Sequence, residues 1–204
     1  PDMHASLPLI NAPALWEDPR VGGRPNGGKG IRLASMDGGV HHQAAMFNGE
    51  GYSYPRGYPL GFLSNTNGKI IVSRAYFRTW DPPSDGDENP WPGTRGTPHG
   101  VHTAGTAACD IVTADYQGAK VQISGVAPAA YVMSYRVFYN SITNDGSFYN
   151  AEGVAALEDI VRDGAQVLNN SWGDAQISPG GEYDAIDSAL INAARAGIFI
   201  AMSN

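Results

Sequence analysis

Two short stretches of this sequence concentrate the side chains that can exchange protons. Met36-Asp37-Gly38-Gly39-Val40 carries a carboxylate followed by two glycines, and residues without a Cβ let a partner side chain come close. Taken alone, Asp37 reads first as a turn former. His99-Gly100-Val101-His102-Thr103-Ala104-Gly105-Thr106 carries two imidazoles three positions apart. An imidazole changes charge near neutral pH, so this residue type can accept a proton from a hydroxyl and return it to a leaving group. His99 and His102 together with His41 and His42 would also begin a metal set. No nearby Glu or Cys completes that set.

The surrounding periodicity shows what must hold these groups. Gly30–Met36 reads as a strand that ends at Asp37, and Lys69–Ser73 and Tyr131–Val137 as further strands. Ala151–Asp163 has Val154, Leu157, Ile160 and Val161 at helical spacing, with Asn150 as N-cap and Gly164 as the stop. Val167–Ser171 is a short buried strand. Glu182–Ala196 is helical, with Tyr183, Ile186, Leu190 and Ala194 on one face, and Ile198–Ala201 opens another strand. The small residues after His99 predict a buried helix. Alternating strands and helices specify a mostly parallel α/β sheet with right-handed crossovers and helices on both faces. Chemistry in such sheets collects at the carboxyl ends of the strands, where Asp37 and Ser171 fall.

Bulk properties narrow the classes. The 204 residues are 42% hydrophobic and only 16% charged, which predicts a folded body. Gly (26) and Pro (14) are abundant, which predicts many turns and long connections. A net charge of −7 without any run of Lys or Arg argues against nucleic acid or an anionic membrane as partner. No apolar stretch approaches the roughly 18 residues of a membrane span. Cys109 is alone, so no intrachain disulfide forms, and it reads as a small buried hydrophobe. The opening Pro1-Asp2-Met3-His4 is expected to be a processed terminus.

The segment from His99 to Thr106 resembles the histidine motif of the subtilisin-like serine proteases, usually His-Gly-Thr-His-Val-Ala-Gly-Thr, and departs from it at Val101 and Thr103. The resemblance implies that His99 is the general base, that Asp37 orients and stabilises it, and that His102 is a structural residue of the helix. Gly125-Val126-Ala127-Pro128 followed by Ala130 is similar to the turn into a cleft-lining strand of that family. Asn170-Ser171-Trp172-Gly173 is similar to a strand end that pairs with substrate backbone. On that basis Ser171, Trp172 and Gly173 are substrate-binding candidates. Gly146, in Asp145-Gly146-Ser147, resembles the segment flanking the substrate's other side. Phe47 stands where the family often has Phe or Leu. The similarity runs from Ile10 onward and is poorest between 50 and 96, a stretch expected to be a loop-rich insertion in the N-terminal portion of a catalytic domain that spans 1–204.

Two elements of the family pattern do not occur in these residues. No Gly-Thr-Ser-Met-Ala nucleophile motif is found. The asparagine of the oxyanion hole is also missing, because Asn204 falls two positions short of it. This chain alone is therefore expected to be inactive. The serine and the asparagine are expected from the C-terminal portion of the same protease, packed against it as a second chain. The resemblance further implies proteins or peptides as substrates, no cofactor for catalysis, and secretion or display at the cell surface. Structural calcium is common in the family. Here the loop from Asp81 to Asn89 offers Asp85, Asp87 and Asn89 as oxygen ligands of the kind calcium takes, although an acidic solvated loop has the same composition. The rival readings are a non-catalytic relative that binds peptides or serves assembly, and a metal hydrolase.

Overall fold

The computed structural model describes residues 3–173 and 184–203. In chain order its helices are α1 (Met3–Leu9), α2 (Ala12–Trp16), α3 (His99–Ala108), α4 (Asn150–Arg162) and α5 (Ala185–Arg195). The strands are β1 (Arg32–Asp37), β2 (Leu60–Gly61), β3 (Ile70–Ala75), β4 (Val112–Tyr116), β5 (Ala119–Ile123), β6 (Tyr131–Arg136), β7 (Val167–Asn170) and β8 (Phe199–Met202). Six of them form one sheet in the order β2-β3-β6-β1-β7-β8. Every pairing in it is parallel. The expected α/β architecture is thus the observed one, and β1 lies near its middle.

Side-chain alternation along β6 divides the core between the two faces of the sheet. Met133, Tyr135 and Val137 pack with Ala34 and Met36 of β1 and with Ala156, Leu157 and Ile160 of α4. Val132, of opposite parity, packs instead with Ala104 and Ala108 of α3 and with Phe47. Successive residues of a strand point to opposite faces, so α3 and α4 cover different sides. The small residues of α3 have a clear purpose here. A Cβ on Gly125 would fall 2.5 Å from the main-chain nitrogens of Ala108 and Cys109, so the chain entering β6 lies directly against the end of α3.

Several details depart from the expectations. Asn150 is the first residue of α4 rather than its cap, and Tyr149, which holds the cap position, makes no side-chain capping bond. Helix α5 is capped by Asp184, whose carboxylate accepts from the amides of Ile186 and Asp187 at 2.9 and 3.1 Å. Glu182 and Tyr183, expected at its start, lie outside the described residues. The helices α1 and α2 and the antiparallel hairpin β4–β5 were not expected. Leu7, Ala12 and Trp16 form a small cluster of their own against Val126. The hairpin turns at Gln117 and Gly118, both with positive φ (49° and 82°), which is the backbone a two-residue type I′ turn requires. The loop-rich segment from 50 to 96 supplies β2 and, where a strand was expected at Lys69–Ser73, β3 to the sheet. Among the described residues no helix is long and apolar enough to cross a membrane.

Cys109 sits just beyond α3 and is 4% exposed. Burial, reinforced by the neighbouring Asp110, pushes its thiol up to about 11 from an ordinary 9.0. Because the folded state keeps its proton longer than the unfolded chain, this site costs no stability below pH 9 and loses it progressively between 9 and 11. A thiol-exchange reagent at pH 8 should therefore leave Cys109 unmodified in the native protein and modify it fully in denaturant. Rapid native labelling would contradict this burial.

Candidate active site

The carboxyl end of β1 and the first residue of α3 meet at one point. Asp37 is buried (1% exposed), and a carboxylate without water must be answered by donors. Three reach it. The amide of Gly38 donates to Oδ1 at 2.6 Å. His99 Nδ1 lies 3.0 Å from both oxygens. The Thr103 hydroxyl stands 3.3 Å from Oδ2, at the same distance from the Gly100 carbonyl. An ionised carboxylate only accepts, so this geometry puts the ring proton of neutral His99 on Nδ1 and leaves the Nε2 lone pair available as a base. The His99 side chain is half exposed, which gives that base access to an incoming group.

Glycines make the approach possible. Gly39 has φ 90°, a conformation that side chains disfavour, and it turns the chain away after Asp37. Gly100 brings the first turn of α3 onto that turn. A Cβ there would fall 2.8 Å from the Gly39 carbonyl and 3.0 Å from the amides of Gly38 and Gly39. Any side chain at position 100 therefore pushes His99 away from Asp37.

The strand end after β7 lies beside the pair. Trp172 Nε1 donates to the Met36 carbonyl at 2.9 Å, one residue before Asp37. Its ring packs edge-on against Phe148, with centroids 4.9 Å apart. Phe148 follows Gly146 by two positions, so the segment of Gly146 and the segment of Ser171, Trp172 and Gly173 are neighbours. Gly146 and Gly173 are both exposed, with open space where a Cβ would stand. Ser171 accepts a bond from the Asn169 amide at 2.9 Å through its Oγ. The Trp172 side chain itself turns inward and braces β1, a role the sequence reading did not give it.

Other expected residues fall elsewhere. His102 is exposed on α3. His41 and His42 stack on each other, with ring centroids 5.3 Å apart, and both contact Trp91. Among the described residues no group of three or more His, Cys, Asp or Glu is placed to hold a metal. The acidic loop is not drawn together as a ligand set either. Asp87 is fully buried and pairs with Arg136 at 2.7 Å, while Asp85 and Asn89 are exposed. A cavity of about 690 Å³ between α4 and α5, lined by Val154, Leu157, Ala189 and Ala193 among others, includes neither Asp37 nor His99. Asn204 lies outside the described residues. Thr103 is the contact the sequence reading missed. Its signal was its position four residues after His99, on the same helix face.

The model of the Subtilase family matches residues 28–204. The chain is 30% identical to "Subtilisin-like protease SBT2.1" of Arabidopsis thaliana, covering 89% of this chain and 23% of that protein. It is 31% identical to "Minor extracellular protease Vpr" of Bacillus subtilis (strain 168), over 88% of this chain and 18% of that protein. It thus spans about a fifth to a quarter of the length of these curated relatives. A solved structure, "S41 Psychrophilic Protease", aligns with TM-score 0.48 and 22% identity, over 85% of this chain and 45% of the other.

The close approach at Gly100 has a direct consequence. Replacement by Ala should lower stability in urea by roughly 1–3 kcal/mol, because main chain rather than a flexible side chain is in the way. Gly146→Ala, in open space, should stay within about 0.5 kcal/mol of the parent. Equal effects at the two positions would refute the packing described here.

Proposed function

Because this chain belongs to the subtilase family, we propose that it supplies the Asp and His of an Asp-His-Ser triad in a serine endopeptidase. The observation that carries this reading is the bond from His99 Nδ1 to the buried Asp37 carboxylate. In the reaction, His99 Nε2 takes the proton of the attacking serine hydroxyl, and Asp37 stabilises the imidazolium that results. The same proton then passes to the leaving amine as the acyl-enzyme forms. A water, deprotonated by His99, hydrolyses that intermediate and regenerates the serine.

The nucleophilic serine and the oxyanion-hole asparagine come from polypeptide outside these 204 residues. That portion would pack beside β8, an edge of the sheet on which Phe199 is 70% exposed and Met202 47%. Substrate would lie as an extended strand between the segment of Gly146 and that of Ser171–Gly173, recognised through main-chain groups. Proteins or peptides are the substrate class. No cofactor takes part in the chemistry. Secretion is supported by the name of the Bacillus subtilis relative.

The test uses the full-length protein. A fluorophosphonate probe should label a serine outside residues 1–204. Asp37→Asn should lower kcat by about four orders of magnitude by leaving His99 in the wrong tautomer. A folded, full-length protein that takes no label and cleaves no peptide would instead be a non-catalytic relative.

A further inference from the structure

Arg136 ends β6 and is paired in register with Asp37 of β1. Its side chain is fully buried, so its charge must be answered from within the protein. The carboxylate of Asp87 does so through Oδ2, which accepts from Arg136 Nη2 at 2.7 Å. That carboxylate is itself fixed by the amides of Gly93 and Asn140, at 2.7 and 2.8 Å. Arg136 Nη1 lies within hydrogen-bonding distance of three alternate main-chain carbonyls, of Asp87, Asn89 and Trp91, at 3.1, 2.6 and 2.7 Å, and its two protons are shared among them. Nε donates to the Phe138 carbonyl at 3.2 Å. A carboxylate and several loop carbonyls converging on one buried cation is the kind of donor set that loops offer to calcium. In this protein the cation is a guanidinium.

The loop gathered in this way lies on both halves of the Asp37–His99 pair. A Cβ on Gly39 would fall 2.6 Å from the Pro90 carbonyl, 3.2 Å from Trp91 Cα and 3.1 Å from Arg136 Cδ. The loop therefore rests on the turn that follows Asp37. Further along, a Cβ on Gly96 would fall 2.5 Å from Asp87 Oδ1, and one on Gly38 would fall 3.2 Å from the Thr97 carbonyl and methyl. Two residues after Thr97 comes His99, whose amide donates to the Thr97 hydroxyl at 3.2 Å.

We propose that Arg136 is a positioning residue for the catalytic pair: an internal cation that folds residues 87–96 over Gly38 and Gly39 and so sets the distance between Asp37 and His99. The inference rests on reading that pair as part of a protease triad. It predicts that Arg136→Ala in the full-length enzyme lowers kcat by about 100-fold while KM changes by no more than about twofold, because alignment is lost rather than substrate contact. Added guanidinium or methylguanidinium should restore much of that kcat, and sodium chloride at equal ionic strength should not. Arg136→Lys should be intermediate, since an ammonium cannot span the same set of carbonyls.

A readout independent of turnover is the low-field proton resonance of His99 Nδ1. It should be present in the parent, absent in Arg136→Ala, and restored by guanidinium. Should Arg136→Ala fail to fold, Asp87→Asn is the second variant, and it should weaken both kcat and the resonance. A folded variant that keeps the parent's kcat and resonance would overturn the proposal. So would a loss of kcat that guanidinium leaves untouched while the resonance persists. A parent protein that shows the resonance but no proteolysis would defeat the protease reading and leave the positioning role standing.

Discussion

Everything at this site depends on burying one carboxylate at the end of a central strand. Asp37 is almost wholly removed from water, and the penalty for that is tolerable only while donors surround it. Of the three donors that reach it among the described residues, two come from α3. The strand and the helix are therefore bound to each other by the electrostatic requirement of a single side chain. The same requirement fixes the tautomer of His99 and directs its free nitrogen outward.

The surroundings serve that contact. Gly100 removes the side chain that would hold α3 away from the Gly38–Gly39 turn. Trp172 ties β7's exit to the carbonyl just before Asp37 and presses Phe148 into place, so the two candidate walls of the cleft are linked through an aromatic contact. The loop-rich stretch from 50 to 96 adds strands at one edge of the sheet and wraps its last third around Arg136. Buried ion pairs give little net stability, while removing one partner leaves an uncompensated buried charge. Arg136 and Asp87, with main-chain carbonyls accepting from the remaining N–H groups, form such a pair packed against the turn after Asp37.

Much of this was legible in the sequence, for identifiable reasons. The strand–helix rhythm from Tyr131 to Ala201 is strongly periodic, because elements packed on a parallel sheet must bury a regular stripe. The motifs at Asp37 and His99 are local runs whose spacing survives in any context. What was not legible depends on contacts between distant residues. Nothing near Asp87 in sequence announces that its carboxylate pairs with an arginine 49 residues later. Trp172 was read for its backbone, and only the fold reveals that its indole reaches β1. The helices α1 and α2 are short, at seven and five residues, and α1 contains Pro8, so they carry too few turns for a periodic signal. The Gln117-Gly118 hairpin was discernible in principle, since a glycine between two alternating runs is its usual mark.

The claim on which the account stands is that Asp37 holds His99 as the Nδ1–H tautomer with Nε2 unprotonated. The most direct measurement is the ¹⁵N chemical shift of both ring nitrogens of selectively labelled His99, in neutral protein at a pH where the imidazole is uncharged. The expected result is a pyrrole-type shift at Nδ1 and a pyridine-type shift at Nε2, with the pattern lost in Asp37→Asn. A pyridine-type Nδ1, or a pattern unchanged by removing the carboxylate's charge, would contradict it.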